Sequence, residues 1–158
     1  MKASQIAVVS ITLACASLAA STTWAASDGG HVMVVPADLK WADLPSLPPG
    51  AKLSVIEGPM NEAVPFTVRI KFPADYKVPA HWHPAIEHVT VISGTFNMGT
   101  GDKLDASKTM PLSAGSVAIM QPKTNHFAWT KEETIVQVHG VGPWGVTYVN
   151  PADDPRKK

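Results

Sequence analysis

The sequence predicts an all-β protein with one domain, and three observations carry that prediction. Its 158 residues are enough for one domain with a real hydrophobic core and too few for two comfortable ones. Fourteen prolines and eleven glycines are scattered along the chain, which suits short strands and tight turns rather than long helices. From Val32 onward the apolar residues fall into short runs separated by turn signals. About ten such runs in about 130 residues fit a closed or sandwiched antiparallel architecture.

Taken in order, residues 1–25 differ from the rest. A single lysine, Lys2, precedes an apolar run from Ile6 to about Ala20, and Thr23-Trp24-Ala25 offers small residues where a signal peptidase reads. We expect a cleaved export signal over 1–25 and hence a periplasmic or secreted protein. As a membrane anchor the run is short and rich in Ala, Ser and Thr. A lipoprotein reading through Cys15 is weaker, because Thr12 stands where a large aliphatic is wanted. Residues 26–50 lead into the barrel, 51–150 form the domain, and 151–158 are expected to be an extended or disordered tail.

Within that frame "HVMVVP" is a first strand candidate, followed by a polar-aromatic connection closed by Pro48-Pro49-Gly50. "LSVIEG" comes next. "PFTVRIKFP" alternates with period two, placing Phe66, Val68, Ile70 and Phe72 on one face and Thr67, Arg69 and Lys71 on the other. "KVPAHWH", "EHVTVIS" and "TFNMG" follow, the last two meeting at a hairpin-like turn, Ser93-Gly94. "TGDKLDASKTM" reads as a loop with a helical turn. "SVAIMQP", "NHFAWT", "ETIVQVHG" and "VTYVN" complete the strands.

Composition narrows the chemistry. Formal net charge is zero and no basic block exists apart from Arg156-Lys157-Lys158, so nucleic-acid binding has no electrostatic footprint. Signal cleavage removes the one cysteine and leaves no disulfide, thiolate or cysteine-based zinc site to invoke. Any metal must be held by nitrogen and oxygen.

The stretch "HWHPAIEH" gathers three of the six histidines and a glutamate. Residues two apart on a strand face the same way, so His81 and His83 project together while Trp82 points oppositely. Pro84 suits the turn out of that strand, and a hairpin returns Glu87 beside the pair. Glu87, Val89 and Val91 then share a face, which puts His88 on the other and excludes it as a ligand. A fourth ligand must come from elsewhere, and His126 just inside a later strand is the candidate. Three imidazoles and one carboxylate suit a divalent first-row metal and leave up to two positions of an octahedral shell open.

In these residues and their spacing the sequence resembles the cupin superfamily. The first cupin motif runs Gly, five residues, His-x-His, three or four residues, Glu, six residues, Gly. His81, His83, Glu87 and Gly94 match it, whereas Asp75 replaces the leading glycine, so the turn before the metal strand is expected to take another conformation. The second motif runs Gly, five residues, Pro-x-Gly, two residues, His, three residues, Asn. Gly115 and His126 keep its interval, while Gln121 and Lys123 stand at the proline and glycine positions, Pro122 lies one place late and Thr130 replaces the asparagine. The resemblance covers roughly Ala51 to Asn150. It implies a jelly-roll barrel, one divalent metal (Fe, Mn, Ni, Zn or Cu), a small-molecule ligand and a homodimer.

Function stays open at this level between a metal-dependent enzyme, dioxygenase- or isomerase-like, and a non-catalytic binding or sensing module. A vestigial site is a third reading. No catalytic residue can be named. His139 and Gln137 are candidates for contacts around the metal or ligand, since either face of "TIVQVHG" could line the barrel. Val89, Val91, Val117 and Ile119 are candidate lining residues. The tryptophans at 82, 129 and 144 read as core, with a pocket wall or subunit contact as the alternative, the spread methionines as core filler, and His31 as solvated.

Overall fold

The alternation in "PFTVRIKF" fixes the centre of the molecule. The computed structural model describes residues 30–158, so the export signal expected over 1–25 lies outside the described residues. Eleven strands and four 3-10 turns make up the described chain: β1 Ala42–Asp43, β2 Lys52–Glu57, β3 Pro65–Phe72, β4 Lys77–Trp82, β5 Glu87–Ser93, β6 Thr95–Thr100, β7 Met110–Ser113, β8 Val117–Met120, β9 His126–Trp129, β10 Thr134–Val141 and β11 Thr147–Tyr148. They form a six-stranded sheet, β1-β2-β3-β10-β5-β8, and a five-stranded sheet, β11-β4-β9-β6-β7. Every pairing is antiparallel. This is the jelly-roll barrel that the sequence predicts.

Phe66, Val68, Ile70 and Phe72 on β3 are all buried, and Val136 and Val138 oppose them on β10. Val89 and Val91 continue that inner surface on β5, and Phe96, Met98 and Ala128 supply the facing sheet. The aromatic rings of Phe72, Tyr76 and Phe96 pack together, with 5.4 Å from the Phe72 centroid to each of the other two. Leu47 and Ala51 also join this core. Hydroxyl donation from Tyr148 to the Ser46 carbonyl and from Tyr76 to the Pro48 carbonyl pins the chain between them.

Several expectations need correction. "HVMVVP" forms no strand: Val32, Met33 and Val35 are exposed, and the segment has no ladder partner among the described residues. The expected loop has its helical turn at Ala106–Lys108, but its last residue, Met110, begins β7, an edge strand that the sequence reading did not name and that carries Pro111. Val117 and Ile119 face outward, 56% and 53% exposed. Register is the reason, because β8 aligns Ala118 with Val89 and Met120 with Glu87, and those partners point inward. The tail is neither extended nor loose. It winds into two 3-10 turns, Pro151–Asp153 and Pro155–Lys157, and buries Asp154.

Asp75 and Lys123 supply the last correction. They occupy the two of the four motif glycine positions that this chain does not keep, and they are the two non-glycine residues with positive φ among the described residues, at 56° and 62°. The left-handed backbone is kept where the glycine is not.

Candidate metal centre

The two sheets together bring the four predicted ligands to one cavity in the barrel interior. His81, near the end of β4, lies opposite His126, the first residue of β9. Pro79 sits at the irregularity in that ladder, where a missing N–H does no harm. His83 follows one residue after β4, and Glu87 opens β5. All four are buried. One nitrogen from each of His81, His83 and His126 falls within 4.8 Å of the others. The Glu87 carboxylate reaches two of them, Oε1 lying 3.3 Å from His83 Nε2 and Oε2 3.4 Å from His126 Nε2.

Each imidazole is oriented by its other nitrogen. His81 Nδ1 donates to the Pro79 carbonyl, His126 Nδ1 to the Thr124 carbonyl and His83 Nδ1 to the Gly145 carbonyl, all at 2.8 Å. A carbonyl can only accept, so the proton of each neutral ring sits on Nδ1 and the lone pair on Nε2. Three lone pairs and a carboxylate then converge, and His83 Nε2 has no hydrogen-bond partner. Such a cluster is repulsive without a cation between its members. The donor set therefore fits a divalent metal, in the arrangement by which backbone acceptors commonly orient ligating histidines.

Electrostatics agree. Burial first, then His126 and His83, pushes His81 down to about 3. Burial likewise lowers His83, against the pull of Glu87. Burial on its own raises Glu87, but the surrounding His83 and His126 outweigh it and hold the carboxyl below the usual range. Burial thus disfavours the charged form of His81 and of His83, while Glu87 is held in its charged form.

Above the centre lies a narrow cavity of about 40 Å³, measured by where the centre of a water molecule can sit. That is room for roughly three waters at about 10–15 Å³ each. Its walls include Val89, Ile70, Phe72, Val136, Val138, Leu47 and Trp144, and only the four candidate ligands among its lining residues are ionisable. Trp144 thus shapes the pocket instead of merely filling core, stacking on His83 with centroids 4.5 Å apart and planes at 18°. The alternative reading of Trp144 as a pocket wall is the one that holds, whereas Gly145 was missed, because the loop carrying both has no metal-motif signal.

His139 and Gln137 do not reach the centre. On β10 the inward face is Thr134, Val136 and Val138, so both residues turn outward. Gln137 meets Arg69, whose Nε donates to its Oε1 at 3.4 Å. His139 stacks on its cross-strand partner His88 at 4.8 Å. His88 is off the site, as parity requires.

Similarity to known proteins bears on the fold. The ChrR cupin-like domain family matches residues 29–144. A search of curated proteins gives no match. A putative acetylacetone dioxygenase from Methylibium petroleiphilum superposes with a TM-score of 0.59 at 16% identity, covering 82% of this chain and 88% of that one. The polyketide cyclase RemF from Streptomyces resistomycificus gives 0.60 at 14% identity, over 81% and 92%. Rhodobacter sphaeroides SigE in complex with the anti-sigma ChrR gives 0.50 at 18% identity, over 66% of this chain and 50% of that one. At such identities the structures share a fold and nothing finer. The matched segment takes in His81, His83, Glu87 and His126, and on that match this chain belongs to the ChrR cupin-like domain family.

Proposed function

We propose that this is an exported cupin that binds one divalent transition metal through His81, His83, Glu87 and His126 and presents it to a small organic molecule. The observation that carries this reading is the convergence of three Nε2 lone pairs and a carboxylate on one buried point facing a cavity. Export rests on the leader read in residues 1–25. When bound, a metal of this kind supplies Lewis acidity or, if redox-active, electron transfer to dioxygen. The protein's own part is to fix the ligand set through three backbone carbonyls, to exclude bulk water with an apolar wall, and to leave a small cavity beside the ligands where a substrate would sit. Dioxygenase- or isomerase-like turnover of a small substrate is the reaction class such a centre supports.

A second reading is a binding or sensing module, and one observation favours it. The cavity offers no acid or base beyond the ligands themselves, so no side chain is placed to shuttle a proton. The anti-sigma protein among the structural neighbours lends it some support.

Elemental analysis of protein purified without a histidine tag tests the shared part: about one equivalent of Fe, Mn, Ni, Zn or Cu per chain is expected, and His126→Ala removes it. Metal-free protein that cannot be reloaded would sink both readings. Turnover or oxygen uptake over small organic substrates, abolished by His83→Ala with an intact far-ultraviolet spectrum, decides for the enzyme. Ligand binding without turnover decides for the module.

A further inference from the structure

The cavity beside the candidate ligands is polar at one end only. Apart from His81, His83, Glu87 and His126, the side chains that line it are aliphatic or aromatic, or in Met98 a thioether. The remaining polar side-chain atom, Trp144 Nε1, has essentially no accessible area and so presents nothing to the cavity. Val89, two residues from Glu87 on the same face, stands opposite Val138, and both line the space. Their strands, β5 and β10, are interior to the six-stranded sheet, so the backbone N–H and C=O groups there are taken up in ladders. A molecule entering here makes polar contacts at the ligand end alone. A hydroxyl or amide carried further along it would lose its water and gain no partner, a penalty that a hydrocarbon chain of the same shape does not meet.

Size sets the length of that chain. The cavity, at about 40 Å³, has room for about three waters, which a chain of about two or three carbons displaces. Charge sets the head. Metal-bound imidazoles are neutral, so a divalent cation held by three of them and Glu87 keeps one net positive charge, which a monoanion offsets. Building on the metal-centre reading above, we propose that the centre takes an aliphatic monoanion with a single polar head. An oxygen group of the carboxylate class sits at the metal, and about two or three unsubstituted carbons fill the cavity. Polyhydroxylated molecules such as sugars are excluded, and so is a chain of the same shape that ends in a hydroxyl.

Straight-chain carboxylates are the probes. Zinc content is measured first, and acetate, propionate, butyrate, hexanoate and 3-hydroxypropionate are then titrated by calorimetry into the zinc-loaded protein. 3-Hydroxypropionate matches butyrate in shape, with a hydroxyl in place of the terminal methyl. We expect affinity to rise about fourfold per methylene from acetate to butyrate and to fall at hexanoate. 3-Hydroxypropionate should bind at least about tenfold more weakly than butyrate. Val89→Ala, which hollows the wall beside Glu87, should hold zinc equally and move the best chain length about one carbon longer. Zinc-loaded protein that binds none of the probes, binds all of them equally, or takes 3-hydroxypropionate as readily as butyrate overturns the proposal and leaves the metal centre standing. An unmoved optimum in folded Val89→Ala protein places the chain elsewhere and also overturns it. Should that variant not fold, the wild-type series decides alone. Protein that takes up no zinc removes the centre and this proposal together.

Discussion

Lys123 holds its backbone at φ 62° in the turn before His126, a conformation that costs an ordinary side chain about 1–2 kcal/mol. The turn is held there because the Lys123 N–H donates to the His83 carbonyl at 2.9 Å, tying the loop to the metal strand. At the other substituted position, Thr130 Oγ1 donates to the Pro73 carbonyl at 2.9 Å and its N–H to the Tyr76 carbonyl at 3.0 Å, which braces the turn containing Asp75. Lys123→Gly relieves the left-handed strain and adds freedom to the unfolded chain, opposing effects of similar size. We expect a gain of about 0–1 kcal/mol in denaturant unfolding with metal content unchanged; a loss of about 2 kcal/mol would contradict the strain. The histidines give a second prediction. His81 titrates near 6.5 when unfolded and about 3 when folded, so between those values the unfolded chain binds more protons. Metal-free protein is then fully stable above about pH 6.5 and loses about 1.4 kcal/mol per unit of pH for each such group as pH falls. His83 and Glu87, both lowered, act in the same direction. Calorimetry should show Tm falling from about pH 6.5 to about pH 4.5, and a flat Tm there would mean the rings are not buried neutral.

Among the strands, β3 and β8 mark what local sequence can and cannot decide. Val138→Ala on β10 removes a fully buried side chain facing β3 and should cost about 2 kcal/mol, whereas Val117→Lys on β8 should shift stability by less than about 0.5 kcal/mol. Chemical denaturation of the two variants checks both, and a costly Val117→Lys would place that face inside. The faces of β3 were legible because seven alternating residues leave one way to bury them. In "VAIM" both faces are apolar, so alternation cannot choose, and the choice falls to register with β5, about thirty positions away in sequence. The same contrast divides the site. His81, His83 and Glu87 were legible from their spacing and His126 from its motif interval, although β4 and β5 lie in different sheets and do not pair as the expected hairpin. Gly145 was not, and Trp144 only as one of two readings, because their part in the centre comes from a loop held by long-range contacts to Met60 and His83.

For the molecule as a whole, the chain's end is structural. Arg156 grips Asp154 with Nε at 2.7 Å and Nη2 at 2.9 Å, and Nη2 also donates to the Val146 carbonyl at 2.9 Å. Val146 is neighbour to Gly145, so this clasp steadies the segment that carries the His83 acceptor and the Trp144 cap. Arg156→Ala should therefore weaken metal retention severalfold, read by chelator competition, while Lys158→Ala leaves it unchanged; equal retention in both would detach the tail from the centre.

His81 and His126 each anchor to a carbonyl two residues back, but His83 anchors sixty-two residues ahead. During synthesis, then, the third imidazole has no fixed bearing until nearly the whole polypeptide has been made. An ion held by all three rings would therefore have to be taken up after the Gly145 loop has closed on His83.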